Sequence, residues 1–168
     1  TDASPYGLGG WLALNGTIVR YYAAALTDDD ATIFGHALGS ADGQQTWEAL
    51  CVLIALRRWG TRWRETRTCV TLKSDNMAAL AMAAKLKGNT SSLISRELAL
   101  AMSTACFQPR FVVHVPGVMN FSADALSRLS DPGGNDRVPA SLSGRLRDNV
   151  PRRSRNYYTP AAALIAAG

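Results

Sequence analysis

Four carboxylates stand where a plain α/β fold would not need them. Glu48 lies near the start of Gln45–Trp59, a stretch whose interior from Ala49 to Leu56 is apolar without a break, the pattern of a helix buried on every side. A carboxylate with such neighbours is costly unless it is protonated or meets a cation. Its plainer role is to offset the helix dipole from an exposed first turn. Asp75 follows a short β run, Cys69–Lys73, and precedes the Ala-rich helical stretch Met77–Leu86. Ligands in sheets of this type gather at the carboxyl ends of strands, and the plainer role for an Asp there is helix capping. Asp2 lies beside a Gly-rich turn and a β run, and is otherwise a polar residue at the start. Asp124 falls four residues after Asn120 on one face of a short helix, Asn120–Leu129, and is otherwise a surface acid. The remaining acids read blandly: Asp28–Asp30 as a solvated loop, Glu65 and Glu97 as charges on helix surfaces.

Taken jointly, the four suggest metal chemistry. Clustered carboxylates repel one another unless a divalent cation sits among them, and hard oxygen ligands select Mg²⁺ or Mn²⁺. Two such ions about 4 Å apart are an apparatus for phosphodiester hydrolysis. Spacing does not establish convergence; that depends on the elements that carry each residue.

Those elements read as follows. Trp11–Leu14 and Thr17–Tyr22 flank Asn15-Gly16, a strong hairpin signal. Residues 23–45 are turn-rich and suggest a weak strand with a long loop. The helix Gln45–Trp59, the β run Cys69–Lys73 and the helix Met77–Leu86, stopped by Gly88-Asn89, come next. Ser91-Ser92 opens a further helix to about Cys106, with Leu93, Ile94, Leu98 and Met102 at helical spacing. Phe111–Val115 is a strand ended by Pro116-Gly117, and Asn120–Leu129 is the last helix. This order predicts an α/β fold, a mixed sheet covered by helices, in one domain over 1–129. Residues 130–168 hold six Arg and three Asp with little period, and suggest a basic, flexible linker or tail, with a helix beginning at 160–168.

The 168 residues are 47% hydrophobic and 18% charged, enough for one core, and a mean hydropathy near zero argues against a wholly disordered chain. No apolar run approaches the roughly 20 residues of a membrane span. Thr1–Ser4 offers neither a basic nor an apolar leader segment, so an intracellular setting (cytoplasm or nucleus) is expected, with no membrane partner. Cys51, Cys69 and Cys106 form an odd set in apolar surroundings without metal spacing, which suggests buried free thiols. The net charge of +5 rests on 15 Arg against 3 Lys, a bias that suits phosphate recognition. Arg57, Arg58, Arg62, Arg64 and Arg67 crowd around Trp59 and Trp63. They could grip phosphates and stack on bases, or they could be cations at a helix C-terminus beside core tryptophans. Their distance from Glu48, about 15–18 Å by helix rise, favours the second reading. Lys85 and Lys87, and Arg145, Arg147, Arg152, Arg153 and Arg155 in the tail, are further phosphate-contact candidates.

At the four acids the chain resembles the type 1 ribonuclease H family, in particular the domain that follows reverse transcriptase in retroelements. The matching pieces are Thr1-Asp2-Ala3-Ser4 with Gly7–Leu12; Gln45-Thr46-Trp47-Glu48-Ala49; Lys73-Ser74-Asp75-Asn76; and Val115–Asn120, closing in Ala123-Asp124-Ala125-Leu126-Ser127-Arg128. They span residues 1 to about 129. The closing motif is specific to retroelement versions, and Asp75-Asn76 with Ser95–Leu98 look closest to DIRS-like elements, then gypsy-like ones.

The resemblance implies a ribonuclease H-like fold, a mixed central sheet with helices on both faces. It implies a metal-binding and catalytic quartet of Asp2, Glu48, Asp75 and Asp124 holding two Mg²⁺ ions, with Mn²⁺ as a substitute. The implied reaction cuts the RNA strand of an RNA–DNA hybrid, leaving 5′-phosphate and 3′-hydroxyl ends, with a reverse transcriptase domain upstream in the parent polyprotein. Gln44 and Gln45 match amide positions of retroviral relatives and would read 2′-hydroxyls, with Asn76 and Asn120 beside them, though both glutamines also suit a polar loop. The chain departs from the family in two places. A single residue, Thr1, precedes the first aspartate where the family has several apolar ones, and Pro116–Asn120 is too short for the family's histidine loop, so His114 reads as a strand residue. The alternative is a weak or inactive retroelement-derived module that binds nucleic acid or acts as a spacer. A DNA nuclease or integrase of the same fold is disfavoured by the closing motif and the Gln-rich approach to Glu48.

Overall fold

The computed structural model describes residues 1–64, 69–85, 93–105, 111–134 and 137–158. Its strands and helices, in chain order, are β1 (Asp2–Ala3), β2 (Gly7–Leu14), β3 (Thr17–Ala25), α1 (Asp28–Phe34), α2 (Gln44–Trp59), β4 (Thr71–Ser74), α3 (Met77–Lys85), α4 (Leu93–Thr104), β5 (Phe111–His114), α5 (Phe121–Arg128) and β6 (Leu146–Arg147). The hairpin forms where Asn15-Gly16 places it. Both turn residues have positive φ, 50° and 81°, the backbone that a two-residue hairpin turn requires, and β2 pairs antiparallel with β3 from Gly7↔Ala25 to Leu14↔Thr17.

The architecture is mixed α/β. One sheet has the order β1-β2-β3-β6, with β6 parallel to β3, and β4 pairs in parallel with β5 in a second sheet. The single central sheet expected from the sequence is therefore divided. β1 is two residues long and, among the described residues, pairs with β2 alone, and Thr1 N donates to Lys73 O at 2.8 Å across the junction. Farther along, an apolar cleft of about 490 Å³ lies between β2 and β4, with Trp11, Leu12, Val52, Trp59 and Leu72 in its walls.

Side chains alternate across a strand, and α2 and α5 cover opposite faces of the larger sheet. On one face Leu8 and Tyr22 join the main core with Leu50, Leu53 and Ile54 of α2, and the Tyr22 hydroxyl donates to Cys51 O at 2.8 Å. On the other, Tyr21 packs with Leu126 of α5. Gly7 and Gly9 allow that second contact. A Cβ on Gly9 would lie 2.5 Å from Ala123 O, and one on Gly7 2.2 Å from Ser127 O, so α5 rests directly on the backbone of β2. As its apolar interior predicts, α2 is buried from Trp47 through Ile54.

Two readings of the sequence are corrected here. Residues 23–45 hold the end of β3 and then α1, where a long loop was expected. Thr27 and Asp30 cap α1 reciprocally, Asp30 N donating to Thr27 Oγ1 and Thr27 N to Asp30 Oδ2, and Gly35 at φ 72° ends it. Asp30 is not a solvated loop acid but fully buried. The second correction concerns the tail, which packs through residue 158. β6 extends the sheet beside β3, Leu142 is buried against Tyr21 and Leu126, and Asp148 accepts from Trp59 Nε1 at 2.8 Å and Arg20 at 2.6 Å. Arg153, buried, pairs with Asp30 at 2.7 Å, and the Tyr158 hydroxyl donates to the same carboxylate at 2.9 Å. The packed body thus extends past the boundary expected at 129. Residues 160–168, where a helix was expected to begin, lie outside the described residues.

Candidate metal centre

Asp2, Glu48 and Asp75 each offer a carboxylate oxygen within 4.8 Å of the others. They come from β1, α2 and the turn that follows β4, so three distant stretches of chain build one pocket. Asp2 and Glu48 are buried and Asp75 half-buried.

Each carboxylate is held by neighbours whose positions the fold dictates. Glu48 is the fifth residue of α2, because the helix starts at Gln44, one turn deeper than a dipole-offsetting acid would sit. Its Oε1 accepts from Ala3 N and Gln44 Nε2, both at 3.2 Å. Asp2 Oδ1 accepts from Asn120 Nδ2 at 3.1 Å, and Oδ2 from the Ser127 hydroxyl at 2.7 Å. Asp75 does not cap α3. Asn76 does, its Oδ1 accepting from Ala79 N at 2.9 Å, which leaves the Asp75 carboxylate to the pocket. Gly117 backs that carboxylate, since a Cβ there would stand 3.4 Å from Asp75 Oδ2.

Electrostatics mark the pocket as short of positive charge. Burial, reinforced by Asp2 and Asp75, pushes the Glu48 carboxyl up to about 8. Burial likewise raises Asp2 to about 6 against the opposing Ser127 hydrogen bond, with Asp75 and Asp124 adding repulsion. Glu48 Oε2 is buried and has no hydrogen-bond partner among the described residues. A buried, unpartnered carboxylate oxygen facing two more carboxylates is costly by itself and is what a hard divalent cation would satisfy. The donor set, all carboxylate oxygen, fits Mg²⁺ or Mn²⁺, and the group could hold such an ion.

Asp124 stands at the edge of this pocket and outside the group of three. Its Oδ1 accepts from Arg128 Nε at 2.7 Å, and its side chain is partly exposed. Its backbone is anchored close by, because the Ser127 hydroxyl lies 2.8 Å from Asp124 O as well as beside Asp2. Of the four residues expected at a substrate, three have internal partners. Gln44 donates to Ala3 O at 2.6 Å as well as to Glu48, Asn76 caps α3, and buried Asn120 holds Asp2. Gln45 is exposed beside them. His114 ends β5 as a strand residue, and its Nε2 lies 3.1 Å from Asp75 O. Ser127, Arg128 and the Ala3 amide were not singled out from sequence, although Ser127 and Arg128 close the motif that carries the resemblance.

The other basic candidates lie elsewhere. Arg57 pairs with Glu97, which is fully buried rather than a surface charge, and its guanidinium stacks 4.5 Å over the Tyr157 ring. Arg58 reaches Asp148 at 3.4 Å. Arg67, Lys87 and Glu65 lie outside the described residues, as do Cys106 and Ser91-Ser92. Cys51 is buried, its thiol 2.8 Å from Asp2 O, while Cys69 is exposed rather than buried. Among the described residues, no helix is long and apolar enough to cross a membrane. Comparison with protein-family models, with curated proteins and with solved structures finds no match.

Proposed function

We propose that this chain is a ribonuclease H-like endoribonuclease that hydrolyses the RNA strand of RNA–DNA hybrids, within the reverse-transcription polyprotein of an intracellular retroelement and with a reverse transcriptase domain upstream. The observation that carries the reading is the buried, unpartnered Glu48 Oε2 in a pocket shared with Asp2 and Asp75. Three of the four positions matched by motif to the family's acids thereby converge, and the fourth stands at the rim.

In this reading Asp2, Glu48 and Asp75 hold Mg²⁺, or Mn²⁺ in its place, with Asp124 completing the set. A pair of such ions, when bound, lowers the pKa of a water and stabilises a departing 3′ oxygen. The protein's own residues aim the ligands. Asn120 and Ser127 fix both oxygens of Asp2, while Ala3 N and Gln44 fix Glu48 and leave its second oxygen available to a metal. Asn76 takes over helix capping so that Asp75 is free. Exposed Gln45 is the amide best placed to meet a 2′-hydroxyl in the wide minor groove of a hybrid.

The test is cleavage of an end-labelled RNA–DNA hybrid with Mg²⁺ or Mn²⁺, wild type against Asp75→Asn. The expected result is cleavage in the RNA strand alone, slowed by about 100-fold or more in the variant, on the scale of losing a group that stabilises transition-state charge. Wild type no faster than Asp75→Asn would overturn the enzyme reading.

A further inference from the structure

We propose that Arg128 is a positioning residue that keeps Asp124 out of the acidic pocket and releases it when a divalent cation binds there. This rests on the metal-centre reading above and goes beyond it in assigning control of the fourth carboxylate to a basic residue one helical turn away.

Three observations define a two-position element. First, Asp124 and Arg128 are one turn apart on α5, and Arg128 Nε meets Asp124 Oδ1 at 2.7 Å. Second, Arg128 has another anion within reach. Its Nη1 lies 3.9 Å from Asp131 Oδ2, and the other oxygen of Asp131 accepts from the Ser4 hydroxyl at 2.6 Å, so Asp131 is already oriented for the guanidinium. Third, the Asp124 backbone is fixed beside Asp2 through the Ser127 hydroxyl, so the side chain is the part of Asp124 left to move. The acids facing Arg128 are Asp124, Asp131 and, from farther off, Asp2.

Electrostatics sets the direction of the switch. With three carboxylates already converging, a fourth adds repulsion, and Asp124 is more stable against the guanidinium. A divalent cation reverses that balance. Asp124 then gains more from the pocket than from an exposed pair screened by water, and Arg128 moves to Asp131. The exchange matters because it spares the metal-free site a fourth acid and still offers four ligands to a metal.

The experiment is Mn²⁺ binding to the full chain, without nucleic acid, read by electron paramagnetic resonance of the free ion. Four proteins are compared: wild type, Arg128→Ala, Asp124→Asn and the double variant, with Arg128→Gln as a second substitution should the alanine protein fold poorly. Arg128→Ala is expected to tighten Mn²⁺ binding by about two- to fivefold, the range spanned by exposed ion pairs. The gain should vanish in the Asp124→Asn background, because the effect runs through that carboxylate. An equal gain in both backgrounds would show a through-space charge effect and overturn the proposal. So would an unchanged affinity in Arg128→Ala while wild type binds Mn²⁺, which leaves the metal centre standing. Absence of Mn²⁺ binding in wild type and Arg128→Ala alike would overturn both.

Discussion

Replacing Glu48 by Gln should make the metal-free protein more stable, and the gain should depend on pH. The Glu48 carboxyl is raised from 4.5 to about 8 by burial and by Asp2 and Asp75. Between those values the folded state holds a proton that the unfolded state has lost, so stability is fully present below about pH 4.5 and falls as pH rises toward 8. At about 1.4 kcal/mol per pH unit, the loss reaches roughly 3 kcal/mol at pH 7 and approaches 5 above pH 8. Gln removes the ionisation and keeps the contacts. Its Oε1 still accepts from Ala3 N and Gln44, and its amide NH₂ replaces the unpartnered Oε2 with a donor facing two carboxylates. In urea denaturation with EDTA, Glu48→Gln should therefore exceed wild type by roughly 3 kcal/mol at pH 7, with the difference shrinking to about 1 kcal/mol at pH 5 and toward zero below pH 4.5. Saturating Mg²⁺ should stabilise wild type and leave the variant unchanged, narrowing or reversing the gap. A variant no more stable than wild type at pH 7 in EDTA, or a gap that stays constant from pH 5 to 8, would refute the account of the pocket.

Two further outcomes are expected. Arg153→Met leaves Asp30 buried without its cation and should cost about 3–5 kcal/mol in urea unfolding near neutral pH; a loss under about 1 kcal/mol would mean that the tail is not seated on α1. Gly9→Ala places a Cβ 2.5 Å from Ala123 O, so it should lower stability by about 1–3 kcal/mol and slow hybrid cleavage by moving Asn120 and Ser127 away from Asp2. Activity equal to wild type would show that α5 does not set the site.

What the sequence discloses is local. The hairpin at Asn15-Gly16, the buried α2 and the strand–helix steps around Asp75 and Asp124 are visible because their signals lie within a few residues. The cap of α1 was equally local, since Thr27, Asp30 and Gly35 carry it, but the acidic triplet reads as solvated loop until Arg153 is placed opposite it. Arg57 with Glu97, and Trp59 with Asp148, likewise join residues far apart in sequence, and no periodicity reports such pairs. Convergence of Asp2, Glu48 and Asp75 belongs to the same category, which is why composition and spacing suggest metal chemistry without locating it. The resemblance places Asn120 and Asn76 at the substrate. Their actual work, holding Asp2 and capping α3, depends on hydrogen-bond directions that only coordinates supply.

The bond between Asp30 and Arg153 closes a loop of 123 residues, and Ser127 reaches Asp2 across 125. Such distant closures make folding slow, because the entropy of ordering is lost before the contacts repay it. On a ribosome Asp2 and Asp30 wait for partners translated 125 and 123 residues later. Until those arrive, the charged groups that later meet inside remain in water, so the acidic pocket matures only once α5 has been made, and nascent chains stalled short of Arg153 should be good substrates for chaperones and proteases.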